Sequence, residues 1–304
     1  MKLKLLVAAI SLVSFSGMAG GFDLGKILQD QLKKSQSKSA PAQPTDSATS
    51  PQTSTPQNDK GAEAQALSFG LFGKYSTEDE IHIGKQIAGN LLGAVPMVRD
   101  EALQRYVNLV GNWVAAQSGR TDIPWRFGVL DTEDINAFAA PGGYVFVTKG
   151  LYRQLANEAE LAGVLGHEIA HITKKHHLKV LKKSSLISAL GQAASKQAKS
   201  SDQVVQNLIG NGAEIMARGL DKDAEFEADR EGVVFAARAG YDPWGLPAVL
   251  QDLAALPAKD GRTSLLFKTH PQPADRLSKL GDAIGDRFDK LSGKELGDRF
   301  YRIR

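Results

Sequence analysis

The chain has 304 residues, 37 basic against 34 acidic side chains, 42% apolar residues and a formal charge of +3. That apolar content can build a sizeable core, which excludes a wholly disordered chain, and so small a charge over this length gives no ground for a nucleic-acid partner. With no cysteine, disulfides, thiolate metal sites and thiol nucleophiles are excluded, so any bound metal must take His, Asp or Glu.

At the N-terminus, Lys2 and Lys4 precede an apolar stretch from Leu5 to Phe15 and then Gly17-Met18-Ala19, the pattern of an export signal cleaved after residue 19. The stretch is shorter than the ~20 residues that span a bilayer. Removing residues 1–19 takes two lysines and no acids, leaving a formal charge of +1. Without a lipid-accepting cysteine, the mature chain is expected to be soluble, and periplasmic in a host with two membranes. In residues 20–34, Phe22, Leu24, Ile27, Leu28 and Leu32 recur at helical spacing and predict a short amphipathic segment. Residues 35–66 read as a flexible linker; from 35 to 57 they hold only Ser, Thr, Pro, Gln and Ala plus Lys38 and Asp46, with nothing large and apolar to offset the entropy of ordering. Globular patterning runs from 67 to 304 and is read as one domain.

Within that domain Ser76 or Thr77 is placed to cap a helix carrying Ile81, Gly84, Ile87 and Leu91, and Asp100 to cap another carrying Leu103, Val107, Val110 and Val114. Trp125 to Leu130 reads as a strand. Ala137 to Ala140 and Tyr144 to Thr148 flank the turn signal Pro141-Gly142-Gly143, predicting a small sheet. A helix is expected from Glu158 to about Lys175, capped by Asn157, a second from about Ala224 to Ala237 ending at Gly240, and a third from Asp242-Pro243 through Leu256. The fold class is α+β, mainly helical, with a small sheet beside the helix that carries the chemistry.

That chemistry starts at His167-Glu168-Ile169-Ala170-His171, an H-E-x-x-H run inside a predicted helix. On a helix advancing about 100° and 1.5 Å per residue, positions 167 and 171 project from one face, about 40° and ~6 Å apart. Glu168 points about 100° to the side, where a carboxylate can take a proton from metal-activated water without ligating the ion. A catalytic zinc needs a third protein ligand. Glu225-Phe226-Glu227-Ala228-Asp229 offers one: Glu225 and Asp229 share a helix face, so one can ligate and the other can hold a ligand histidine from outside. Glu227 falls on the far side. His177 lies six residues after His171, but if the helix continues it is rotated by about 240° and faces away from the ion. His176 and His177, with Lys174 and Lys175, then read as the exposed end of the helix, and His82 as a surface residue.

Four stretches in one order, Asn136 to Gly143, His167 to His171, Glu225 to Asp229, and Thr269-His270-Pro271 with Arg276, resemble the gluzincin zinc peptidases that include the CAAX prenyl endopeptidases, HtpX and BepA-like periplasmic proteases. The resemblance runs from about residue 69 to 290. It implies a zincin-like domain holding one zinc ion on His167, His171 and Glu225, with Glu168 as base and Asp229 supporting a ligand. It further implies that His270 and Arg276 face the reacting carbonyl and that Asn136, Ala137, Phe138, Ala139 and Ala140 form the strand edge that holds an extended substrate. From the residues alone that strand is equally an ordinary core hairpin and His270 reads as a surface residue of a loop; the alternatives for His270 are a donor to the transition state or a ligand that fills the open metal position and makes the enzyme latent.

The membrane-embedded relatives carry spanning helices; between Leu178 and Leu220 the apolar residues are interrupted by Lys182, Lys183, Lys196, Lys199 and Asp202, so no ~20-residue apolar span is expected there. This stretch reads either as a helical lid over the cleft or as an amphipathic surface that touches membrane or an outer-membrane assembly. The function expected is an exported zinc endopeptidase with unfolded or misassembled envelope polypeptides as substrates. The rival is a groove-binding, chaperone-like protein with a structural or latent zinc; Glu168 separates the two, because a structural site has no use for a carboxylate that does not ligate.

Overall fold

The computed structural model describes residues 75–183, 219–257, 261–288 and 290–303. The expected signal, the amphipathic segment, the linker and most of the 178–220 stretch lie outside the described residues. Helix α1 spans Thr77–Ala94 and α2 spans Glu101–Ala115. Each starts where a side chain accepts from an otherwise orphaned N–H: Ser76 from Asp79 at 3.1 Å, with the Asp79 carboxylate accepting from Ser76 N in return, and Asp100 from Leu103 N at 3.0 Å.

Strands β1 (Arg126–Leu130), β2 (Ala137–Ala140) and β3 (Tyr144–Thr148) form one sheet in the order β1-β3-β2. β1 runs parallel to β3, and β2 pairs with it antiparallel, Ala137 opposite Val147 and Ala140 opposite Tyr144. The hairpin is possible because Gly142 and Gly143 take φ of 74° and 96°, open to glycine at little cost. Side chains alternate across the sheet. Phe127, Val129, Ala137, Ala139, Val145 and Val147 join the core under α2, whereas Leu130, Phe138, Ala140 and Phe146 join the core under α1.

After the short α3 (Lys149–Gln154) comes α4, Glu158–Thr173. Every residue from Glu158 to Ile172 is buried, as expected of a helix enclosed on all sides. Asn157 caps it by accepting from Glu160 N at 2.9 Å. At its first residue, the Glu158 carboxylate accepts from the hydroxyls of Tyr106 and Tyr241, both at 2.7 Å, and from Arg299. A further helical run covers 176–183. Then follow α5 (Lys222–Arg238), α6 (Gly245–Ala255), α7 (Ser264–Thr269) and α8 (Pro273–Ile284), the last opened by proline, whose missing N–H costs nothing there.

The contact between α4 and α5 is the most extensive between any two described elements. Backbone meets backbone at its centre: a Cβ on Gly166 would lie 2.6 Å from the Gly232 carbonyl oxygen, and one on Gly232 would lie 2.6 Å from His167 N. Gly232 is on the same face of α5 as Asp229 and Glu225, one and two turns earlier. The crossing therefore sets how closely those carboxylates approach His167 and His171.

Candidate metal centre

His167 and His171 turn their Nε2 atoms to one another at 2.9 Å, and Glu225 approaches them at 3.6 and 3.5 Å. All three are buried. Tetrahedral bonds of about 2.05 Å place ligand atoms about 3.3 Å apart, so these separations match one ion with two nitrogen ligands and one oxygen ligand. The outer contacts agree with that use. His167 Nδ1 lies 2.9 Å from Asp229 Oδ1 and His171 Nδ1 lies 2.9 Å from His176 Nδ1. Both Nδ1 atoms are thereby engaged; with a proton on each, the two Nε2 lone pairs point at one place, an arrangement a cation relieves.

Arg276, from α8, is equally enclosed. Its Nε and Nη2 donate to the two oxygens of Asp229 at 2.9 and 2.6 Å, and Nη1 lies 3.2 Å from Glu225. Although burial works against ionisation, His270 and Arg276 hold the Glu225 carboxyl down to about 2. Asp229 is likewise lowered against its burial, chiefly by Arg276. Burial drives His171 well below the ordinary imidazole value, assisted by the neighbouring His167 and His270, and so favours the neutral form that a metal ligand needs.

Glu168 is also buried, and its Oε2 has no hydrogen-bond partner among the described residues. Burial raises its pKa, while the positive charge of His270 opposes this. His270 closes the other side, with Nδ1 3.0 Å from Glu225 and Nε2 3.8 Å from Glu168. Burial disfavours its cation, but the Glu225 carboxylate beside it prevails and raises its pKa. Ligand atoms of His167, His171, Glu225 and His270 all lie within 4.8 Å of one another. An apolar pocket walled by Val164, Leu246, Leu250, Leu253 and Leu266 adjoins Glu168 and His270.

Asn136 precedes β2, and its Oδ1 accepts from the Thr269 hydroxyl at 3.3 Å, tying the strand to the residue before His270. Its Nδ2 has no partner among the described residues. β2 stands at the end of the sheet order, and Ala137, Phe138, Ala139 and Ala140 are all buried.

One expectation is overturned. His176 and His177 are 4% and 9% exposed and are not a solvated helix end. α4 stops at Thr173, and Lys175 takes φ of 56°, so the chain reverses and the run 176–183 folds both rings back beside His171. Glu80 holds this reversal. Fully buried, it pairs with Lys175 at 3.1 Å and Arg120 at 3.2 Å, and Oε1 accepts from Gly142 N at 3.4 Å. His177 is lowered to about 4 by burial and stands outside the group of ligand atoms. His82 is exposed. No sequence signal marked His176 except a cluster of imidazoles soon after the motif, which a surface helix end explains equally well.

Two histidines and a glutamate from the second helix, with a glutamate beside them in a mainly helical zincin-like domain, define a metallopeptidase-type centre. The profile described as peptidase family M48 matches residues 101–284, more than half of the sequence, and the chain belongs to that family. It is 31% identical over 211 residues to the beta-barrel assembly-enhancing protease of Yersinia pestis, covering 67% of this chain and 43% of that protein. To the protein of the same name in Escherichia coli K12 it is 30% identical over 213 residues, with the same coverage. The metalloprotease YcaL of E. coli K12 is 34% identical over 163 residues, 53% of this chain and 63% of that protein. The chain thus spans less than half the length of the first two relatives. Among the described residues no helix is long and apolar enough to cross a membrane.

Proposed function

We propose that this chain is an exported zinc-dependent endopeptidase that hydrolyses peptide bonds of unfolded or misassembled envelope proteins. The observation that carries this reading is Glu168, buried against a three-ligand site and itself committed to no bond at Oε2. One zinc ion on His167, His171 and Glu225 would supply Lewis acidity toward water and the peptide carbonyl. Glu168 then accepts a proton from water and passes it to the leaving amine. His270, held by Glu225, donates to the oxygen on which charge develops, and Arg276 keeps Asp229 and Glu225 in place.

An extended polypeptide adds to the side of β2 that pairs with no described strand, from Asn136 to Ala140, through backbone hydrogen bonds that are indifferent to sequence. The export signal and the absence of cysteine favour a soluble periplasmic enzyme, and the names of the relatives favour substrates from β-barrel assembly. The domain is placed from residue 67; most of the 178–220 stretch, read from sequence as lid or as membrane or assembly contact, lies outside the described residues. The competing chaperone-like reading requires a zinc that only supports the fold, which leaves Glu168 without a role. Digestion of an unfolded protein by the mature chain and by Glu168→Gln decides between them. Bound zinc in both with cleavage by the first alone is expected, and equal cleavage by the two removes Glu168 as the base.

A further inference from the structure

His176 is buried, is absent from the ligand set and has no place in the chemistry above, yet both of its ring nitrogens are engaged. Nδ1 lies 2.9 Å from His171 Nδ1, and Nε2 lies 3.1 Å from Glu227 Oε2. Glu227 is on α5, two residues after Glu225, and it is steadied by Lys174 at 3.3 Å. The contacts close a ring: His171 on α4, His176 after the reversal, Glu227 on α5, and Glu225 on the same helix returning to His171 Nε2 at 3.5 Å.

Proton accounting fixes the direction of this chain of bonds. A histidine that gives its Nε2 lone pair to a cation carries its proton on Nδ1. His171 must therefore donate from Nδ1, so His176 Nδ1 must be the acceptor. The His176 proton then sits on Nε2 and points at the Glu227 carboxylate, which accepts. Exchanging either tautomer places two N–H groups, or two lone pairs, face to face at 2.9 Å. The other ligand histidine is served more simply, since His167 Nδ1 meets Asp229 directly.

We infer that His176 is a positioning residue for the metal, fixing the tautomer and ring orientation of His171 and linking it to the Glu227 carboxylate, so that one ligand is held by a carboxylate directly and the other through an interposed imidazole. The inference rests on reading His167, His171 and Glu225 as metal ligands. It also explains why the chain tolerates a left-handed lysine at 175 and fixes it with buried Glu80: the reversal is what delivers His176.

The test is the zinc dissociation constant of the full chain, measured in competition with a chelator. His176→Leu, which fills the space without an acceptor, is expected to weaken zinc 10–100-fold. His176→Gln is expected to recover most of that loss, because its amide oxygen accepts from His171 and its NH2 group donates to Glu227. Wild-type affinity in His176→Leu, or equal weakening in both variants, overturns the inference. Should His176→Leu not fold, nitrogen-15 NMR of the zinc-loaded wild type decides: Nδ1–H on His171 with Nε2–H on His176 supports it, and any other tautomer pair overturns it. A wild type that binds no zinc refutes the metal site itself, a result distinct from loss of the His176 effect alone.

Discussion

The close crossing of α4 and α5 makes Gly232→Ala an informative perturbation. The added methyl would meet His167 N at 2.6 Å and Gly166 C at 2.9 Å, against ordinary contacts of 3.4–4 Å. Backbone atoms cannot swing aside, so the helices must separate by about 1 Å, and overpacking of this kind costs about 1–3 kcal/mol. For a domain of this size each kcal/mol lowers the melting temperature by about 2–4 °C, giving a fall of roughly 2–12 °C in the metal-free protein. The same movement carries Glu225 away from the histidines. Metal sites tolerate only about ±0.2 Å in ligand distance, so zinc affinity should fall at least ~10-fold. Thermal unfolding of the metal-free chain and a zinc competition titration read the two effects. Gly281→Ala is the control: it lies in exposed helix with nothing within 4 Å of the new methyl, and should gain about 0.5–1 kcal/mol. If Gly232→Ala melts and binds zinc as the wild type does, the backbone contact is not what spaces the ligands.

Asp229→Ala strips the buried Arg276 of its paired acceptor and His167 of its Nδ1 partner; a loss of about 3–5 kcal/mol in urea unfolding is expected. Zinc should weaken 10–100-fold alongside, and a cost below about 1 kcal/mol would contradict the buried-pair geometry. His270→Ala should lower peptide hydrolysis with zinc retained, while a rise would show that His270 blocks the site at rest. Acid should also weaken the metal-free fold through Glu225. Its carboxyl is held down to about 2 from an ordinary 4.5, so its stabilisation is complete above about 4.5 and is lost as pH falls toward 2. The difference in unfolding free energy between wild type and Glu225→Gln, followed from pH 5 to pH 2, should therefore shrink; a constant difference would refute it.

The candidate ligands were readable because each pair lies four residues apart on a helix, and that period survives whatever packs around it. His167 with His171 and Glu225 with Asp229 needed only the two helices; α4 formed behind its expected Asn157 cap, and α5 formed over the expected stretch but two residues earlier, behind Asp221, a cap not anticipated from the sequence. The hairpin of β2 and β3 followed from Pro141-Gly142-Gly143. The pairing of β1 parallel to β3, which makes β3 the central strand, is a long-range choice with no local signal. The short helices α3 and α7 were not anticipated either, since six residues carry too little periodicity to separate helix from loop. The failure at His176 has one cause. A helix was assumed to continue through Lys174 and Lys175, whereas a left-handed residue ends it. Glycine or asparagine would have marked that position, and lysine does not. Glu80 was hidden likewise among the acidic residues of the first turn of α1, its burial set by Arg120, Lys175 and the Gly142 amide, all distant in sequence.

The decisive measurement is anomalous diffraction at the zinc edge from crystals of the mature chain grown with zinc. One peak bonded to Nε2 of His167, Nε2 of His171 and a carboxylate oxygen of Glu225, with Glu168 beside it but not bonded, is the predicted result. A peak elsewhere, or one bonded to Glu168 in place of Glu225, would contradict both the ligand set and the role given to the base.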